Sequence, residues 1–162
     1  MKMLRPTLLL AIVGVSTAAF ADRMPIPANA PPAFKAECGS CHLAFPPQLL
    51  TADDWHRVMT TLDRHYGDNA SLDDKTRKTI EEFLFRNSAS GYWSKIGPAT
   101  GNPPRLTSTT WFQRKHHEVP TGIWQDKRVK GAANCAACHP RADQGSFSEH
   151  EVTMPGGRRW ED

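Results

Sequence analysis

The stretch Cys38-Gly39-Ser40-Cys41-His42 constrains this chain more than any other, and it occurs twice. Its copy, Cys135-Ala136-Ala137-Cys138-His139, begins ninety-seven residues further on, and the two together use all four cysteines of the sequence. No thiol remains for a disulfide. Two thiols one helical turn apart, followed at once by an imidazole, make a complete attachment site for haem. Each sulfur adds across one vinyl group of the porphyrin, and the adjoining histidine is held against the iron. A lone C-x-x-C is more often half of a zinc site or a redox dithiol. A zinc ribbon, however, brings its second pair about 15 to 20 residues on, and a dithiol has no use for the same histidine twice. The pattern therefore predicts two covalent haem c groups, attached at Cys38 and Cys41 and at Cys135 and Cys138, with His42 and His139 as proximal iron ligands.

Thioether attachment takes place outside the bacterial cytoplasmic membrane, and the N-terminus agrees with export. Lys2 and Arg5 form a positive start, Leu8 to Val15 is a short apolar run, and Ala19-Phe20-Ala21 is a small-x-small cleavage site. The run is shorter than the about 20 residues that a spanning helix needs. The expectation is a signal peptide over residues 1–21, cleaved after Ala21, and a periplasmic mature chain from Asp22 to Asp162; an uncleaved anchor is the alternative. Removing Lys2 and Arg5 from the 20 basic residues leaves 18 against 17 acidic, so the mature chain is nearly neutral and offers nucleic acid no basic face. A monomer without stable membrane insertion is expected. Either half of so short a chain falls below the size at which apolar packing alone usually suffices. The porphyrins would act as core, which predicts that the haem-free chain is largely unfolded.

A proline-rich arm, Met24 to Pro32, leads to a short helix expected over Ala33 to Cys41, with Pro32 near its start. Phe45-Pro46-Pro47 is read as a turn on the proximal face of the ring, where a backbone carbonyl can fix the imidazole tautomer. Thr51 opens a second helix, expected to run to Tyr66 and stop at Gly67. Its stripe is Trp55, Val58, Met59, Leu62 and Tyr66. Ser71 caps a third, with Ile80, Phe83 and Leu84 inward. Glycines and prolines from Ser88 to Arg105 mark the boundary between a haem c domain at 22–100 and another at 101–162. A fourth helix starts near Thr107 to Thr110, carries Trp111, Phe112, His116 and Val119, and stops at Pro120. A short turn over Ile123 to Val129 precedes the second motif, and the last twenty residues look irregular.

Five histidines remain for the sixth iron positions: His56, His65, His116, His117 and His150. A second imidazole makes a low-potential carrier, a methionine a higher-potential one, and an open position a site for ligands. On an ideal helix His65 lies roughly 70 to 80° from the stripe centre and His56 about 100° on the other flank, a thin margin. Met59 sits on the stripe itself and is the rival, although methionine there is more often core packing. For the second haem, His116 lies about 80° from the Trp111, Phe112, Val119 stripe and His117 about 180° from it, so His117 is expected in solvent. His150 and Met154 are weaker candidates in the tail.

The residues resemble those of the bacterial dihaem cytochrome c family. The resemblance rests on Glu37 through His42 with Ala44-Phe45-Pro46-Pro47, on Trp55 through Leu62, on His65-Tyr66-Gly67 and on Ala70 through Asp73. In the second half it rests on Trp111-Phe112, His116, Glu118, the second motif, Gly145, Phe147, Glu149 and Met154-Pro155. It implies a mainly α fold, with an N-terminal domain like class I cytochrome c and a smaller, irregular C-terminal one. It also implies His65 and His116 as distal ligands, both haems bis-histidine. A role follows as an electron relay from a membrane b-type cytochrome to a soluble, oxygen-binding monohaem cytochrome. No enzyme is expected; the rivals are a small peroxidase or nitrogen-oxide reductase with one open or labile axial site, and a haem-based sensor.

Overall fold

The computed structural model describes residues 23–160, and the expected signal segment at 1–21 lies outside them. The described residues are mainly helical, joined by short 3-10 turns, with isolated bridges but no strand among them. None of their helices is long and apolar enough to cross a membrane.

Helix α1 (Pro32–Cys38) begins on a proline, whose missing N–H belongs to the turn that has no intrahelical acceptor. It buries Phe34 against Phe83, ring centroids 4.9 Å apart. It stops at Cys38 rather than Cys41, because the Gly39 N–H closes back on Lys35 O at 3.1 Å and the chain leaves the helix there. Helix α2 (Ala52–Met59) is capped by Thr51, whose hydroxyl accepts the Asp54 N–H at 3.1 Å, with Asp53 and Asp54 at the positive end of the dipole. It ends at Met59, seven residues before the expected stop at Tyr66. Two threonines end it. Thr60 and Thr61 donate their hydroxyls to His56 O at 2.9 Å and Arg57 O at 2.7 Å, side-chain bonds that compete with a further helical turn.

Helix α3 (Asp74–Arg86) starts later than the Ser71 reading, since Asp73 takes the cap by accepting from Lys75 N–H at 3.1 Å and Thr76 N–H at 3.0 Å. Its inner face is the expected Ile80, Phe83 and Leu84, packed on α2. Helix α4 (Thr110–Lys115) is capped by Thr109 and stops at Lys115, so His116 is its C-terminal cap and Val119 lies beyond it. The four-residue α5 (Thr121–Trp124) follows, and the second motif lies in a 3-10 turn, Cys135–Ala137.

One apolar cluster holds these pieces together, running from Phe34, Leu50, Trp55, Met59, Ile80, Phe83 and Leu84 to Ala99, Leu106 and Phe112. Met59, 3% exposed, packs inside it. Asp54 pins the glycine- and proline-rich stretch to α2, accepting the Ala99 N–H at 2.9 Å, while Arg57 bonds to Asp54 at 3.1 Å and to the carbonyls of Ala99 and Gly101. Three of these bonds converge on residues 99–101.

The N-terminal arm closes over the far end of the chain. Met24, 1% exposed, donates its N–H to Gly145 O at 2.8 Å. Gly145 has φ of +71°, and a Cβ there would meet Pro25 Cα at 2.5 Å and the Met24 carbonyl at 2.6 Å. Both are backbone and cannot swing away. Gly145→Ala therefore combines a left-handed alanine with overpacking, and a loss of about 2 to 4 kcal/mol is expected in urea unfolding. An unchanged midpoint would show that the arm does not lie on this turn.

Candidate metal centres

Each C-x-x-C-H histidine faces one other histidine. After α2 the chain makes a 3-10 turn, Leu62–Arg64, and presents His65 from a loop, with its ring against that of His42. Their centroids are 6.1 Å apart and their planes 15° from parallel. At the other site His116, at the end of α4, faces His139 with centroids 6.2 Å apart and planes crossed at 80°. Two imidazoles that share one metal ion, each through a bond of about 2 Å, have centroids about 6 Å apart. Both pairs have that spacing.

Hydrogen bonds select the tautomer at two of the four rings. His42 Nδ1–H donates to the Leu43 carbonyl at 2.8 Å, and His116 Nδ1–H to Phe112 O at 2.9 Å, which leaves Nε2 of each as the lone-pair donor. His65 Nδ1 is buried and makes no hydrogen bond to protein. Burial pushes His65 and His116 below the usual histidine range, so both rings are neutral and able to donate at pH 7.

The walls are aromatic. Phe45 stacks on His42 at 5.0 Å, so the expected proximal turn is present. Phe112 stacks on His116 at 4.0 Å, Trp124 stands 5.9 Å from it, and Phe147 lies edge-on to His139 at 5.5 Å. A cleft lined by Phe112, Trp124 and Phe147 together with Leu49, Val129 and Met154 lies between His116 and His139 and runs along Cys135 and Cys138. Leu49 belongs to the first half of the chain. Sequence reading gave it no part in the second site because the contact depends on tertiary packing alone.

The donor set tests what these centres can hold. Among the described residues no three His, Cys, Asp or Glu side chains converge on a point, so a bare zinc ion finds too few ligands. Burial also lifts the Cys38 and Cys135 thiols to about 11, far from the thiolate that redox or metal chemistry needs. Two opposed imidazoles beside a pair of thiols suit an iron that arrives with its own four equatorial nitrogens. The residues fit haem c.

The remaining candidates make other contacts. His56 is exposed and bonded to Glu81 at 2.7 Å, and His117 is exposed with its Nδ1–H on Arg114 O at 2.9 Å. His150 is exposed in the 3-10 turn Glu149–Glu151, whereas Met154 is buried in the wall of the second cleft.

Comparison with known proteins gives the family. The profile of a family described as dihaem cytochrome c matches residues 34–147. A diheme cytochrome type c from Shewanella baltica OS155 is 40% identical over 84% of this chain and 100% of its own, with a TM-score of 0.70. A diheme cytochrome c from Rhodobacter sphaeroides is 36% identical, over 74% of this chain and 98% of its own, at a TM-score of 0.64. A crystal structure of DHC purified from the same organism is 34% identical, over 75% and 99%, at 0.62. No curated protein matches the chain.

Proposed function

The chain belongs to the dihaem cytochrome c family, and from that premise we propose that it carries electrons in the periplasm with each iron closed by two histidines, His42 with His65 and His139 with His116. Membership brings two covalently bound haem c groups, held through Cys38 and Cys41 and through Cys135 and Cys138. Bound haem c supplies a one-electron couple. The observation that carries the reading is the pairing of each motif histidine with one other ring, at 6.1 and 6.2 Å.

The chain's own groups then do three things. Leu43 O and Phe112 O hold Nδ1–H of His42 and His116, which fixes the donor nitrogen and raises its basicity. Phe45, Phe112, Trp124 and Phe147 pack against the rings and restrain them. Two imidazoles per iron leave no coordination position for substrate, so transfer is outer-sphere and the chain is no enzyme. The resemblance supports a membrane b-type cytochrome as donor and a soluble monohaem cytochrome as acceptor.

Carbon monoxide tests the proposal. The dithionite-reduced holoprotein is expected to keep its spectrum unperturbed on mixing with CO, which binds only as slowly as a distal histidine leaves the iron. Rapid CO binding by a full haem equivalent would assign one centre to ligand chemistry instead.

A further inference from the structure

Of the two histidines that face the motif rings, His65 is less firmly held than His116. It lies outside any helix, and its Nδ1, although buried, has no hydrogen-bond partner in the protein, whereas His42 and His116 are each tied to a carbonyl. Its backbone is held mainly by the tight turn in which Asp68 N–H bonds to His65 O at 3.1 Å. What restrains the imidazole on its free side is the next residue. The Tyr66 ring stands edge-on to it, centroids 4.7 Å apart.

Tyr66 occupies that place at a cost. Its φ is +54°, a left-handed conformation that a bulky side chain seldom adopts. Two contacts offset the strain, and both come from the segment after residue 101. The Tyr66 hydroxyl donates to Pro104 O at 2.5 Å, and the Arg105 guanidinium lies 4.6 Å above the ring. The residues just before that segment, Ala99 and Gly101, are bonded to α2 through Asp54 and Arg57. Gly67, which has φ of +114° and nothing within 4 Å of a built Cβ, completes the turn without touching His65.

We infer that Tyr66 is a positioning residue for the first haem, which fixes the orientation of the His65 imidazole and fastens it to the Pro104-Arg105 segment of the second half. The inference rests on His65 being the distal ligand. Removal of the Tyr66 ring frees the imidazole to rotate and to leave the iron; removal of the hydroxyl alone loosens the wall without taking it away.

Ferric electron paramagnetic resonance and the rate of CO association after reduction test this on the holoprotein. In Tyr66→Gly, which the left-handed backbone accepts without strain, the low-spin signal of one haem is expected to broaden or shift while the other keeps its shape. CO association to one haem equivalent rises at least tenfold. Tyr66→Phe keeps the ring, loses one hydrogen bond, preserves the parent signal and raises the CO rate about fivefold. Parent-like signals and rates in both variants overturn the inference, as does an equal change at both haems, which would mean general loosening. If Tyr66→Gly does not fold, an unchanged CO rate in Tyr66→Phe is sufficient to overturn it. His65→Ala, measured alongside, separates the inference from its basis: two low-spin haems in that variant remove the ligand assignment itself. One opened haem with both Tyr66 variants unchanged removes only the role of Tyr66.

Discussion

Replacing His65 by alanine is expected to turn one haem equivalent high-spin and leave the other untouched, and replacing His116 does the same to the opposite haem. The size of the effect follows from the donor count. Each centre has two imidazoles and, among the described residues, no cluster of three His, Cys, Asp or Glu side chains, while Met154 and Lys115 line the second cleft. Loss of one imidazole therefore leaves a five-coordinate iron, and rapid CO uptake goes from none to one equivalent per variant. The two variants also differ in a diagnosable way. His65 stands on a loop beside exposed Tyr66, so its loss perturbs little packing. His116 stacks on the buried Phe112 ring at 4.0 Å and contacts Trp124, so its removal also opens a cavity in the core. A drop of about 2 kcal/mol or more is expected for His116→Ala and under about 1 kcal/mol for His65→Ala, read by urea unfolding at equal haem content. Counting high-spin haem in the two purified variants, and in the double variant, checks the assignment; Met154 ligation would show as a low-spin spectrum in His116→Ala alone.

A second large effect is expected from removing the thioether bonds. With Cys135 and Cys138 both changed to alanine, the chain should lose one haem and, with it, the order of the second half. The reason lies in what that half contains. Its helices α4 and α5 have 6 and 4 residues, too short to persist alone, and its aromatic groups Phe112, Trp124 and Phe147 line the cleft of the second centre, with Phe112 and Trp124 6.3 Å apart. The first half has the 13-residue α3, packed on α2 across Ile80, Phe83 and Leu84, and is expected to keep more of its structure in the matching Cys38, Cys41 variant. Removing all four cysteines should abolish the cooperative melt, a loss equal to the whole stability, which for a chain of this size is on the order of 5 to 15 kcal/mol. Differential scanning calorimetry decides it: a sharp transition in the haem-free chain would show that the polypeptide carries its own core.

How far the sequence could be read depended on whether the signal was local. The attachment motifs are local, and the histidine of each faces one other imidazole. The buried faces of α2 and α3 were legible from the spacing of Trp55, Val58 and Met59 and of Ile80, Phe83 and Leu84. Helix ends were not. The stripe that continues through Leu62 and Tyr66 reads as helix, but Thr60 and Thr61 turn their hydroxyls back on the preceding carbonyls and stop it at Met59. Because His65 leaves the helix, its angle on a helical wheel carried no information, and its facing of His42 was set by the turn through Tyr66. His116 is a different case. It closes α4, and its Nδ1 bond to Phe112 O, four residues back, keeps the ring on the Phe112 side that the stripe indicated. The parts with no local signal were those made by distant segments: Leu49 in the second cleft, Met24 under Gly145, and Tyr66 on Pro104.

The most direct test of paired imidazoles at both irons is the ferric electron paramagnetic resonance spectrum of the intact holoprotein. Imidazole planes 15° from parallel separate the iron orbitals that they donate to, whereas planes at 80° leave those orbitals nearly degenerate. Two low-spin signals of equal weight are expected, one an ordinary rhombic spectrum and the other a strongly anisotropic one with a single prominent low-field feature. An axial high-spin signal amounting to one haem would contradict the account.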